Sequence, residues 1–279
     1  MFKKIMMTMA AMILSLPFVT AEEKEGTEGL KVMSYNIRLG SADDKTNSWA
    51  LRYTATEEML KDQKPDVFGV QEALVYQVAF IEDICGYESV GVGRENGKKE
   101  GEHMSIFWNK KTVKMLKWGT FWLSETPEKP SKGWDAECFR TATWALMKDK
   151  KTGKKFYFVN THLDHKGTEA QKNGLKLIVD RIAEINPDGL PMVLTGDFNI
   201  EPKNPALKDL DACMQSARKI AVKTDDHATY NGWGKSSTMI DYIYVSGFSS
   251  CPEYQTVTKR YEDRKFISDH YPIFARLIF

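Results

Sequence analysis

Short apolar runs alternate along this chain with stretches of helical periodicity. The runs KVMSYNI (31–37), DVFGVQE (66–72), ESVGV, SIFWN, VKMLKWGTFWL, TATWALMKD, KKFYFVNTHL, PMVLTGD, MIDYIYVS and HYPIFARLIF have the length and apolar character of strands. Helical spacing marks the segment from Ser48, a candidate N-cap, to the stop at Pro65, and then Leu74, Val78, Ile81 and Cys85. Over 168–185, Leu175, Ile178, Ile182 and Ile185 share one face. Thr168 and Gln171 form a capping-box pattern there, and Asn186-Pro187 ends the helix. Strands outnumber helices and fall in runs at both ends of the chain. The pattern predicts one α+β domain over 30–279: a four-layer α/β/β/α sandwich, two mainly antiparallel sheets face to face with helices outside.

Residues 1–21 follow a different logic. Lys3 and Lys4 precede an apolar stretch too short to span a bilayer comfortably, and VTA supplies small residues for cleavage after Ala21. We expect an export signal over 1–21, a polar linker over 22–29, and a periplasmic or secreted protein with no stable membrane insertion after cleavage. Loss of 1–21 removes two lysines and no acids, moving the formal charge from +1 to −1. Overall charge therefore exerts no long-range pull on a polyanion. Cys85, Cys138, Cys213 and Cys251 form no CxxC pair, which argues against structural zinc and suits four separate buried thiols. We expect a monomer.

Polar groups recur where apolar runs stop: Asn36, Glu72, His162, Asp197 with Asn199, and Asp269-His270, while Asp241 lies within MIDYIYV. Singly, each reads as a turn former or surface residue. Together, strand ends of one sandwich gather on one rim. There Glu72 and Asp269 would offer hard oxygen donors suited to Mg²⁺, beside a further carboxylate, two carboxamides and two imidazoles. HExxH, GxSxG and P-loop motifs are absent. The collection suits metal-assisted attack of water on a phosphate ester.

The segments SYNIR, GVQE, NTHLD, GDFN, IDYIYV and SDHYPI, in that order, resemble the endonuclease/exonuclease/phosphatase superfamily, the fold of deoxyribonuclease I. The resemblance runs from about residue 30 to the C-terminus. It implies that Glu72 binds Mg²⁺ (or Mn²⁺) with Asn36 and Asp269 close by, and that Asp197 orients or deprotonates the attacking water. It further implies that Asn199 and His162 donate to phosphate oxygens, and that Asp241 orients His270 and favours its charged form. The wording TFWLSETP and GRxxGxxxGE resembles an exported bacterial subgroup and, more distantly, the nocturnin-like branch. Arg38 stands where some abasic-site nucleases of the superfamily place a metal-ligating Asp, so abasic-site repair is disfavoured. Arg140 resembles a second phosphate-facing arginine.

The implied activity is hydrolysis of a phosphate ester, most simply a phosphodiester, in a nucleotide or single-stranded nucleic acid. A nuclease on extracellular DNA or RNA is one alternative; a non-catalytic envelope binding protein is another, opposed by the filled catalytic positions. Loops over 92–103, 121–137 and 228–237 would rim the site, with Trp233 or Trp134 placed to stack on a base or sugar. Against a small substrate stands a local cluster, Arg38, Arg94, Lys98, Lys99 and Arg140, that would grip a duplex.

Overall fold

The computed structural model describes residues 29–279. The expected signal segment and nearly all of the linker lie outside the described residues. One sheet has the order β11 (Ser250–Thr256), β12 (Ile273–Ile278), β1 (Leu30–Asn36), β2 (Val67–Gln71), β4 (Ile106–Trp108), β3 (Glu88–Val90). The other runs β5 (Val113–Trp122), β6 (Thr141–Asp149), β7 (Lys155–His162), β8 (Met192–Asp197), β10 (Asp241–Ser246), β9 (Gln215–Ser216). Each sheet is antiparallel except for its central pair, β1 with β2 and β7 with β8. Among the described residues no helix is long and apolar enough to cross a membrane.

The four layers follow from period-two alternation in strands buried on both faces. In β1, Leu30 and Val32 face the layer between the sheets, where they meet Val67, Phe158, Val193 and Ile243. Met33 and Tyr35 face outward into a second cluster with α1 (Trp49–Gln63) and α2 (Val75–Asp83), through Ala55, Met59 and Ile81. On the far side α3 (Thr168–Ile185) packs Leu175 and Ile178 against Val159, Leu194 and Tyr242.

Along the inter-sheet face the chemistry changes with height. Apolar Val32, Val67, Phe158 and Val193 give way, two residues on, to Ser34, Gly69, Asn160 and Thr195. Two residues further come Asn36, Gln71, His162 and Asp197. The middle layer forms one hydrogen-bonded network. Gln71 Nε2 donates to Asn160 Oδ1 (2.7 Å) and Ser34 Oγ (3.1 Å). Thr195 Oγ1 donates to Asn160 Oδ1 (3.1 Å), and Asn160 Nδ2 donates to the carbonyls of Val70 (2.8 Å) and Ser105 (3.1 Å).

Three local expectations change. The capping box at Thr168 does not form: Gly167 occupies the N-cap, and the Asp135 carboxylate accepts from Ala170 N (2.7 Å) and Glu169 N (3.3 Å). A distant acid thus does what the local pattern promised, and Gln171 instead donates to the carbonyls of Asp164 and Asn199. Strand β11 was not foreseen, because Pro252 and polar residues dilute its pattern. It tolerates them as an edge strand whose register shifts between Ser250 and Glu253. The cysteines are all free, but only Cys251 is buried and Cys213 is exposed.

A Cβ added at Gly69 would drive into the side chains of Asn160 and Thr195. Gly69→Ala should therefore destabilise the fold by about 1–3 kcal/mol, read as a lower urea midpoint with unchanged slope.

Candidate active site

The ends of the two parallel strand pairs open into one cavity of about 410 Å³. Its lining includes Arg38, Glu72, Arg140, His162, Asp197, Asn199, Asp269 and His270. Asn36 forms the buried floor, donating from Nδ2 to Glu72 Oε1 (3.0 Å) and Asp197 Oδ2 (2.9 Å). Its oxygen is turned away and accepts from Arg38 N (3.0 Å). Asn36 thus lies beside the Glu72 carboxylate, close to where a metal would sit, and orients both that group and Asp197.

Three polar residues leave their strands through left-handed backbone: Arg38 (φ 63°), Glu72 (φ 64°) and Asn199 (φ 53°). Such conformations are costly for side-chain-bearing residues and concentrate at functional sites. Strand β8 ends at Asp197, so Asn199 does not reach the site by strand alternation. A tight turn brings it there, in which Asn199 N donates to Asp197 Oδ1 (2.9 Å).

The two imidazoles differ. His270 Nδ1 lies 2.8 Å from Asp241 Oδ2, and Nε2 lies 3.6 Å from Asp197 Oδ2. Burial opposes its charge, but Asp241 and then Asp197 raise its pKa to about 10. His162 is held well below the ordinary histidine range, by burial first and then by Arg140 and Arg94. It is neutral, and Asn199 Nδ2 donates to its Nε2 (3.0 Å), so the proton sits on Nδ1. That Nδ1 is buried without a hydrogen-bond partner among the described residues. Asp197, pushed up chiefly by burial, has a pKa of about 7 despite His270.

On the other side of the mouth, Glu72 Oε2 accepts from Leu39 N (2.8 Å). Burial would raise its pKa, but the Asn36 hydrogen bond and His270 hold it below the usual range. Arg38 Nη1 lies 3.5 Å from Asp269 Oδ2 and 4.0 Å from Glu72 Oε2. The two carboxylates therefore converge on a point that already draws positive charge, and their hard oxygens fit a divalent cation such as Mg²⁺ or Mn²⁺. The nearby Cys138–Asp164–His165 group is less suited. Asp164 already accepts from Lys166 N, Gly167 N, Cys138 N and Arg140 Nε.

Arg140 also lines the cavity, 5% exposed, with Nε to Asp164 Oδ2 (3.3 Å) and Nη1 buried without a partner. Trp233 does not line it. It adopts φ 58°, and the Arg52 guanidinium lies 5.9 Å from its ring centroid, so it anchors its loop and the expected stacking role is not supported. The aromatic in the cavity is Tyr230, three residues earlier, tilted over His270 with centroids 4.8 Å apart. Sequence reasoning also passed over Glu102, His165 and Arg52. Fully buried Arg52 donates to the carbonyls of Ile37 (2.6 Å), Arg38 (3.0 Å) and Ile267 (3.1 Å), holding together the segments that carry Arg38 and Asp269.

The chain belongs to the Endonuclease/Exonuclease/phosphatase family, whose model matches residues 33–270. A solved mannosyl-6-phosphatase from Bacteroides thetaiotaomicron is 32% identical, with 90% of this chain and 100% of that chain covered and a TM-score of 0.85. Sphingomyelinase C 2 of Leptospira interrogans is 22% identical over 88% of this chain and 46% of its own. The human Nocturnin catalytic domain, 18% identical, shares the fold over 90% of this chain and 94% of that one, with a TM-score of 0.70. Hydrolysis of phosphate esters is the chemistry common to this family.

The His270–Asp241 pair generates a direct check. In metal-free protein His270 should remain an imidazolium from pH 6 to 9, since its pKa of about 10 lies above that window. Nitrogen-15 NMR of the ring should show this, and Asp241→Asn should bring the titration down toward the ordinary value near 6.5.

Proposed function

We propose that this chain is an exported, divalent-metal-dependent phosphoesterase acting on the phosphate of a small substrate. The observation that carries the reading is the convergence, in one cavity, of the Glu72 and Asp269 carboxylates with Asp197 and His270, whose ring Asp241 holds from behind. Glu72 and Asp269 would hold Mg²⁺ or Mn²⁺. Bound there, the ion would supply Lewis-acid polarisation of a phosphoryl oxygen.

The chain's own groups do the rest. Asp197, with its proton affinity near neutrality, accepts a proton from the attacking water, and Asn36 holds its Oδ2. His270 donates from Nε2 to a phosphoryl oxygen as negative charge builds. His162 Nδ1–H and Arg140 Nη1, both buried with no hydrogen-bond partner among the described residues, would do the same. Asn199 then acts by holding His162 Nε2 and not as a phosphate donor itself.

Support for a small substrate comes from the arginines. Arg38 is paired with Asp44 (2.9 Å), Arg94 with Glu102 (2.7 Å) and Arg140 with Asp164 (3.3 Å). With three of its five basic residues paired in this way, the cluster has a weakened grip on a duplex. The mannosyl-6-phosphatase named above points to a sugar phosphate monoester, in place of the phosphodiester suggested by the sequence.

With Mg²⁺, the protein should hydrolyse p-nitrophenyl phosphate or a hexose 6-phosphate, and chelator should abolish this. Glu72→Gln should lose most activity with an intact circular dichroism spectrum. Asp197→Asn and His270→Ala should each lower kcat on the order of 10²–10³-fold with little change in KM. Full activity of Glu72→Gln in chelator would overturn the metal assignment. Doubling salt should change kcat/KM on the monoester little, whereas steep loss, with efficient nicking of plasmid DNA at low salt, would favour a nuclease. Export from residues 1–21 should leave a mature protein beginning near Glu22, as N-terminal sequencing of secreted material would show.

A further inference from the structure

Behind the phosphate position, the cavity wall carries a charge pair that hydrolysis does not need. Arg94 Nη1 donates to Glu102 Oε2 at 2.7 Å, and the two residues are 8% and 9% exposed. The pair is built in firmly. Arg94 N donates to the Glu102 carbonyl (3.0 Å), the Trp122 indole N–H donates to the Arg94 carbonyl (2.7 Å), and His103 bridges both Gly93 and Ala73, the residue after Glu72. Gly97 and Gly101 close the loop with φ 68° and 80°.

A buried ion pair is a weak source of stability, because desolvation offsets most of its attraction. Here it faces the reaction cavity. Arg94 alone would suit an anion, but Glu102 would repel one. A carboxylate beside a phosphate site is useful when it accepts from a neutral donor. Arg94 and Glu102 together present donors and an acceptor side by side, the complement of neighbouring hydroxyl groups, each of which donates and accepts. Glu102 Oε2 lies 3.9 Å from His162 Nδ1, too far for a hydrogen bond, so the carboxylate does not tie up that N–H. Among the described residues, Tyr230 is the one Phe, Tyr or Trp in the cavity lining, and it sits over His270, leaving no ring on this wall to stack on a base.

We propose that the Arg94–Glu102 pair is the subsite that reads hydroxyl groups on the alcohol portion of the substrate, making the enzyme selective for phosphate esters of polyols or sugars. This rests on the phosphoesterase reading above. Arg140 remains with the phosphate, and Arg94 and Glu102 set specificity.

The test compares kcat/KM on a hexose 6-phosphate with that on p-nitrophenyl phosphate, whose alcohol portion has no further hydroxyl, both with Mg²⁺. In the Arg94→Met/Glu102→Met double variant the ratio of the two should fall on the order of 10–100-fold, as expected for losing hydrogen bonds to charged groups. Free hexose should inhibit p-nitrophenyl phosphate hydrolysis competitively in the wild type and much less in the variant. Glu102→Gln, which keeps the shape and one acceptor, should lower the ratio less, and it decides the matter if the double variant fails to fold. A parallel loss on both substrates would show that Glu102 only positions His162, and an unchanged ratio would show no hydroxyl reading; either overturns the proposal. Wild-type protein that turns over p-nitrophenyl phosphate but no hexose phosphate overturns it while leaving the phosphoesterase reading intact. Inactivity on every ester with metal removes that reading itself.

Discussion

The Asn160 side chain, fully buried between the sheets, is the interaction on which the site depends. From β7 it donates across the interface to the carbonyls of Val70 and Ser105 and accepts from Gln71 of β2. One amide therefore fixes the height of β2 against β7. Glu72 follows β2 by one residue, and His162 ends β7. The separation between the metal-facing carboxylate and the phosphate-facing imidazole is thus set one layer below, where neither group is involved. Buried polar networks of this kind are stabilising and specific to the extent that their members are satisfied; here both ends of the Asn160 amide are, and only Gln71 Oε1 finds no partner among the described residues. Gly69 makes room for the network, because no side chain could share the space taken by Asn160 and Thr195.

The strand-end residues could be read from the chain because each sits where an apolar run stops, and alternation then places Asn36, His162 and Asp197 on the inter-sheet face. The fold class followed from the same counting. What escaped the sequence has a common physical character. Arg52 lies within a helical pattern and looks like a solvent-facing residue, yet four backbone carbonyls hold it in the interior. Glu102 and Arg94 lie in a charged, glycine-rich loop that suggests a mobile rim, yet mutual pairing makes them a wall. Asp135 caps a helix more than thirty residues away. In each case a charge is satisfied by a partner outside the local helix or strand repeat, and periodicity carries no record of that partner.

Trp233 and Tyr230 show the converse error. Both are aromatics of one loop, and the sequence gives no reason to prefer either. Backbone decides: Tyr230 forms an antiparallel bridge with His270, which sets its ring over that imidazole. Trp233, at the left-handed corner that follows Asn231, turns instead toward Arg52.

The same backbone logic separates the two histidines, and with them the division of labour in the cavity. Each ends near Asp197 Oδ2, at 3.5 Å for His162 and 3.6 Å for His270, so proximity to that carboxylate does not distinguish them. The ring nitrogen pointing away does. At His270 it meets Asp241, a carboxylate that opens strand β10, and the ring is held as a cation. At His162 it meets no partner, while arginines at 94 and 140 make a second positive charge unfavourable. One imidazole therefore brings charge to a developing phosphoryl anion, and the other brings a neutral, oriented N–H. Asp197 lies between them. It keeps a proton affinity near neutrality because burial and Asp241 raise it while a fixed cation, His270, and hydrogen bonds from Asn199 and Asn36 lower it. Two like residues in unlike surroundings thus assume separate tasks, and what makes their surroundings unlike is the placement of one acid at the start of one strand.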